Sequence, residues 1–262
     1  MRLVKAARGA DNYHYVFTFD RGAFPLNEKV IADFPFSKEI IRVEHRYKGN
    51  SFNLLNAYKY AVELNPELIY LIEEDIFIAD DFFDFHEAIW REENPFFVSA
   101  CKNHHLKKVK AIGGDYEAYK FPFYQSLGVS FKPESLEIVL NHHNDDYYKF
   151  PFDYLKKNFK GYKGIFGWEQ DGLIDRVVYG SGAYGIYPYS PRCYHAGFVG
   201  YSRVGNDFPV NENNYKDIAT RLLLMNDTEM NSRARIHKDI EKCPTTGLCT
   251  KEIKIHDDFH TK

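Results

Sequence analysis

Cysteine is scarce in this chain: there are four in 262 residues, at Cys101, Cys193, Cys243 and Cys249. That scatter excludes a disulfide framework for a chain of this length and reads as a reducing compartment. The one close pair, CPTTGLC at 243–249, either clips the tail, binds a metal or stands as two free thiols. Long apolar runs are missing too. No stretch approaches the roughly 20 residues a helix needs to cross a bilayer, and the mean hydropathy is −0.48. A soluble protein with no membrane partner is expected. The opening MRLVKAARGAD lacks the apolar core of a signal peptide, which points to a cytoplasmic location. Excess positive charge is absent as well: the net charge is −3, so bulk electrostatics do not draw the chain to nucleic acid. KKVK (107–110) and KKNFKGYKG (156–164) are local exceptions, each either a solvated face or a nucleic-acid contact. Repeats and a clear linker are also lacking.

What the chain does have is apolar and aromatic material, 44% hydrophobic and 17% aromatic residues, enough to bury a sizeable core. YHYVFTFD (13–20) reads as a strand, LNEKVIADF (26–34) as a short helix and EIIRVEH (39–45) as a second strand. NSFNLLNAYKYAVELN (50–65) has a polar start and then Leu54, Tyr58, Ala61 and Val62 at helical spacing. LIYLIE (68–73) reads as a buried third strand, followed by a helix from about Asp81 to Glu92 and strands at 96–100 and 127–131. This alternation predicts an α/β fold with a mainly parallel sheet flanked by helices. Helices are expected in PESLEIVLNHH and GWEQDGLIDRVVYG, and short strands in AYGIYP and CYHAGF. Residues 1–205 form the expected catalytic domain; 206–262, polar and Asn-rich, read as a peripheral helical extension with a frayed end.

The strand at 68–73 runs straight into Glu73, Glu74 and Asp75. Parallel sheets bind ligands beyond the carboxyl ends of their strands. On an extended backbone Glu73 and Asp75 point one way and Glu74 the other. Crowded carboxylates repel, and a hard divalent cation removes that cost; Mg²⁺ or Mn²⁺ is commonly held by one or two carboxylates and substrate phosphates. The pattern therefore implies a metal–diphosphate, against the plainer alternative of a solvated acidic loop. Asp80, Asp81 and Asp84 suit the cap and first turn of the following helix.

A strand ending in Glu-Glu-Asp, then a short strand and DDFFDF, resembles the corresponding segment of N-acetylglucosaminyltransferase I-like enzymes. These are metal-dependent inverting glycosyltransferases of the Rossmann-like GT-A fold. YKGNSFNLLNAYKYAV (47–62), VSAC (98–101), SLGVSF (126–131), GWEQD (167–171) and PRCYHAGFVG (191–200) fall in the family's order, so the resemblance covers roughly residues 13–205. It implies Asp75 as the direct metal ligand, with Glu73 and Glu74 holding the sugar or ribose. It implies Asp20 at the uracil edge of a UDP-sugar and Asn56 against the nucleotide. His195 is either a second metal ligand or structural.

An inverting transfer needs a carboxylate to take the acceptor hydroxyl's proton. By alignment with the acid after the family's Trp, Glu169 is the first candidate and Asp171 the second; the alternative is that both complement a helix N-terminus. The family's next acid is replaced by Gln170. Trp168 either stacks on the acceptor sugar or base or belongs to the core, and Asp175 and Arg176 are expected on the helix surface. The family's first strand is absent, and MRLVKAARGADNY reads as only the end of the helix after it. Either a second chain supplies that strand or the pocket is open at that edge.

The expected activity is transfer of a sugar from a nucleotide diphosphate-sugar, with Mn²⁺ or Mg²⁺, to a glycan, protein or hydroxymethylated DNA base. The absence of an anchor and a composition rich in Lys, Asn, Tyr and Phe suggest a bacterium or phage-infected cell. A second reading is a non-catalytic nucleotide-sugar or glycan-binding protein on a decayed GT-A scaffold. A nucleotidyltransferase ranks last, because it needs a Gly-rich basic triphosphate loop near the N-terminus and none is visible.

Overall fold

The computed structural model describes residues 2–19, 31–42, 50–73, 76–101, 116–164, 167–195 and 253–256. In chain order these form α1 (Arg2–Ala6), a 3₁₀ turn (Ala10–Asn12), β1 (Tyr15–Phe19), β2 (Lys38–Arg42) and α2 (Asn50–Glu63). Then come β3 (Ile69–Leu71), β4 (Ile76–Ile78), α3 (Phe82–Glu92), β5 (Phe97–Ser99), β6 (Glu117–Phe121) and β7 (Val129–Phe131). The rest are α4 (Pro133–Leu140), α5 (Asp145–Lys149), α6 (Pro151–Asn158), α7 (Gln170–Ser181), β8 (Gly185–Pro188), β9 (Cys193–His195) and β10 (Lys254–His256). The helix expected over 26–34 lies largely outside the described residues. Among those residues no helix is long and apolar enough to cross a membrane.

The central sheet has six strands in the order β10-β6-β8-β5-β7-β3. It is mixed. β10 runs parallel to β6 and β8 parallel to β5, while β6–β8, β5–β7 and β7–β3 are antiparallel. β3, β5 and β8 therefore share one direction, and the chain leaves all three at the same edge. Two small sheets flank this one: β1 with β2 in parallel, and β4 with β9 antiparallel.

Period-two side-chain alternation divides the core into two layers. Phe97, Tyr119 and Tyr187 face a cluster built with α2, α4 and α7. Their neighbours Val98, Ala118 and Ile186 face the opposite cluster, where Phe85, Ile89 and Trp90 of α3 pack. The result is a helix–sheet–helix sandwich around an aromatic interior. One buried polar link joins α3 to the sheet: the Trp90 indole N–H donates to Ser130 Oγ at 2.8 Å, and that oxygen lies 2.6 Å from His86 Nδ1. Burial drives His86 down to about 3, so it stays neutral.

The acids after β4 divide as their spacing suggests, by a different device. Asp81 caps α3 but makes no side-chain cap bond. Instead its Oδ2 accepts from Arg192 Nε at 2.9 Å, an ion pair with both side chains 5% exposed. Asp84 pairs with Arg8 Nε at 2.8 Å, fastening α3 to the N-terminal segment. The segment beyond 205 is described only at 253–256. There it forms a strand rather than a helix: β10 lies on β6, Ile253 is buried beside Phe85 and Ala88, and His256 Nε2 sits 2.9 Å from Glu117 Oε2.

Candidate active site

β3 ends at Leu71, and Ile72 and Glu73 lead out over the sheet edge. Glu73 is partly buried, and its carbonyl accepts from the Ile76 N–H at 3.1 Å. Three other elements converge on this edge: α2, the turn before β7, and the first turn of α7. Ser51 near the start of α2 donates to Gln170 Oε1 at 2.9 Å, and the Gln170 N–H donates back to Ser51 Oγ at 3.0 Å. Gln170, where the resemblance implied an acid, is thus a buried pin between two helix N-termini. One residue on, Asp171 Oδ2 accepts from Ser126 Oγ at 3.2 Å, which ties α7 to the turn before β7.

Between these anchors lies a buried polar cluster. Tyr58 of α2 and Tyr124 bring their hydroxyls to one another, and both are held above the ordinary phenol range, chiefly by burial. The charges of Glu73 and Asp171 push both phenols further up, which places the two carboxylates around the same pair of hydroxyls. Neither hydroxyl makes a hydrogen bond of ordinary geometry among the described residues, nor do the buried Gln125 Oε1 and Asp171 Oδ1. Buried polar atoms are normally satisfied. Tyr58 and Tyr124 are almost fully buried, so their hydroxyls satisfy one another in the interior, while Asp171 Oδ1 has no hydrogen-bond partner among the described residues. Asp171 is itself raised from 3.8 to about 6, by burial first, with Glu169 and Asp175 adding to it and the Ser126 bond opposing it.

The residues predicted from sequence fare unevenly. Asp20, Glu74 and Asp75 lie outside the described residues, as do Cys243 and Cys249. His195 stands in β9, where its backbone pairs with Ile76 of β4. Asn56 sits on α2 with its amide Nδ2 donating to Phe52 O at 2.7 Å. Glu169 is the exposed N-cap of α7 and makes no side-chain cap bond. Trp168 is not core: it is 55% exposed. Asp175 corrects a surface expectation. It is fully buried, accepting from the Tyr124 N–H at 2.6 Å and from the Tyr162 hydroxyl, and burial raises it to about 6. Tyr58, Tyr124, Gln125 and Ser126 were not singled out by sequence as site residues. Ser126 opens the SLGVSF segment, the one signal that pointed there.

Among the described residues, no group of three His, Cys, Asp or Glu side chains is arranged to hold a metal ion. No protein-family model matches the chain, and no curated protein matches it. The cluster offers one carboxylate with the basicity to accept a proton near neutrality, beside two neutral phenols turned to one another and a second carboxylate at the strand end.

Proposed function

We propose that this protein is a metal-dependent inverting glycosyltransferase of GT-A type, moving a sugar from a nucleotide diphosphate-sugar to a hydroxyl acceptor. The observation that carries the reading is Asp171: a carboxyl in the first turn of α7, shifted to about 6 mainly by burial, with one oxygen unpartnered among the described residues. That is the environment of a general base, whose best pKa lies near the working pH. Glu169, the first candidate by alignment, is exposed. Asp171 takes the acceptor hydroxyl's proton as the acceptor oxygen bonds to the anomeric carbon. The bond to the diphosphate breaks, and its electron pair leaves with the diphosphate. Tyr58 and Tyr124 stay protonated behind Asp171, their hydroxyls turned to one another. A divalent ion held through Asp75 would neutralise the departing diphosphate.

The test is turnover of a panel of nucleotide sugars, with Mn²⁺, Mg²⁺ or a chelator. The proteins compared are the wild type, Asp171→Asn, Glu169→Gln and Asp75→Ala. We expect metal-dependent turnover that falls about 10²–10⁴-fold in Asp171→Asn and only severalfold in Glu169→Gln, and loss of metal-dependent nucleotide binding in Asp75→Ala. No turnover of any donor, with no metal-dependent nucleotide binding, overturns the enzyme. Binding without turnover leaves a carbohydrate- or nucleotide-binding protein on the same scaffold.

A further inference from the structure

A second feature lies on the far side of the loop that leads into α7. Phe150, Phe152 and Trp168 are 64%, 59% and 55% exposed, the largest exposures of any bulky apolar side chains described. Soluble proteins rarely cluster such residues without a use for them. Phe152 and Trp168 meet edge to face at 6.3 Å and wall a cleft of about 610 Å³ together with Lys156, Phe159, Lys160 and Arg176. The Lys156 ammonium lies 5.9 Å from the centre of the Phe152 ring. Arg176 sits with its guanidinium carbon 4.2 Å from the centre of the Tyr162 ring while donating to the Gly167 and Gly172 carbonyls, which holds the Trp168 loop in place.

The charge is one-sided. Residues 150–164 carry Lys156, Lys157, Lys160 and Lys163 against Asp153 alone, in a chain whose net charge is −3. None of these lysines makes an ion pair among the described residues. Exposed flat rings set among unpaired ammonium groups match a ligand with repeated negative charge and stackable faces. Tyr147 joins the cleft to the polar cluster: its hydroxyl donates to the Trp168 carbonyl at 3.1 Å and feels the charges of Asp171, Glu169 and Arg176.

We infer that this cleft binds single-stranded nucleic acid, with bases stacking on Trp168 and Phe152 and phosphates lying along Lys156 and Lys160. Base–aromatic stacking with a basic track is the general solution for strands bound without sequence preference. As a statement about the acceptor, this rests on the transfer reading, because it leads a strand past Trp168 toward Asp171. As a binding surface it stands alone.

The experiment is fluorescence anisotropy of a labelled 12-nucleotide single strand against the full chain, in chelator and without donor. Its failure is thereby separate from any failure of the transfer reading. Emission of Trp168 gives a second readout, since Trp90, the only other tryptophan, is buried. Expected are quenching on binding, and affinity that falls with salt at a slope of about −0.7 for each lysine engaged. Trp168→Ala and Phe152→Ala should each weaken binding by about five- to a hundredfold, and Lys160→Gln should shallow the salt slope by about 0.7. Both aromatic side chains are exposed, so unchanged melting temperatures will show that the fold survives. Three results overturn the inference: no strand binding, binding unchanged in both aromatic variants, or tighter binding of a sulfated polysaccharide or a duplex than of the single strand.

Discussion

Asp171 and Asp175 stand four residues apart on one helix with the same perturbation and different work. Both carboxyls are raised from 3.8 to about 6, mainly by burial. Asp175 spends its oxygens on the Tyr124 N–H and the Tyr162 hydroxyl, whereas Asp171 keeps one oxygen unpartnered. The sign of the stability effect follows. A carboxyl that binds its proton more tightly when folded contributes stability that is fully present below about pH 3.8 and lost as pH rises through about 6. The loss is at most about 3 kcal/mol per group. Urea unfolding at pH 4.5, 6 and 7.5 should show the loss, and Asp171→Asn, which cannot ionise, should shallow it; equal slopes in both proteins would refute the burial argument. Activity should run the other way. A base must be ionised, so kcat/KM is expected to rise between pH 5 and 7 with a midpoint near 6, and Asp171→Asn should abolish that limb. Of the two carboxylates, Asp171 was reached in the sequence as the second candidate after Glu169, whereas Asp175 was read as a surface residue, because nothing in its spacing shows that Tyr124 and Tyr162 enclose it. The phenols were not legible: Tyr58 falls on the buried stripe of α2 like any core residue, and only the fold shows that its hydroxyl meets another.

At the scale of elements, two joints hold the edge of the sheet in register. Gly128 has a φ of +58°, and a Cβ there would lie 3.0 Å from Cys193 Sγ and 3.2 Å from Phe82. It also accepts the Ala100 N–H at 2.8 Å, so the turn that delivers Ser126 depends on it. Gly128→Ala should cost about 1–3 kcal/mol by chemical denaturation, from left-handed strain and overpacking together. The second joint is the buried Asp81–Arg192 pair, which ties the start of α3 to β9. Arg192→Met alone should destabilise by about 3–5 kcal/mol, and Asp81→Leu combined with Arg192→Met by clearly less, because no lone charge is then left inside. If the double variant is no more stable than the single, the pair itself supplies net stability. Most elements were readable from periodicity, α2, α3 and α7 best, since their apolar stripes span several turns. β6 was not, because EAYKF carries a Glu and a Lys and becomes a strand only by lying between β8 and β10. α5 and α6 are short and depend on local caps, Asn144 accepting from the Tyr147 N–H and Pro151 opening the next helix.

Over the whole molecule, two features meet at one loop: the buried polar cluster around Tyr58, Tyr124 and Asp171, and the aromatic, lysine-rich cleft beyond Trp168. The α/β class was written in the order of elements, and a mixed sheet was expected; which strands run antiparallel was not legible, since strand direction is settled by which strands become neighbours. Removing residues 253–262 should uncover the edge of β6 and the apolar face around Phe85, lowering the melting temperature and raising light scattering through edge-to-edge association. A truncated chain that melts unchanged and stays monodisperse would show that β10 contributes nothing to the sheet. The same strand imposes a timetable on synthesis. His256 and its partner Glu117 are 139 residues apart, so at about 5–20 residues per second β6 waits on the order of 7–28 s for its neighbour. Throughout that interval the nascent protein carries an open strand edge, exposed until residues 253–256 have been made.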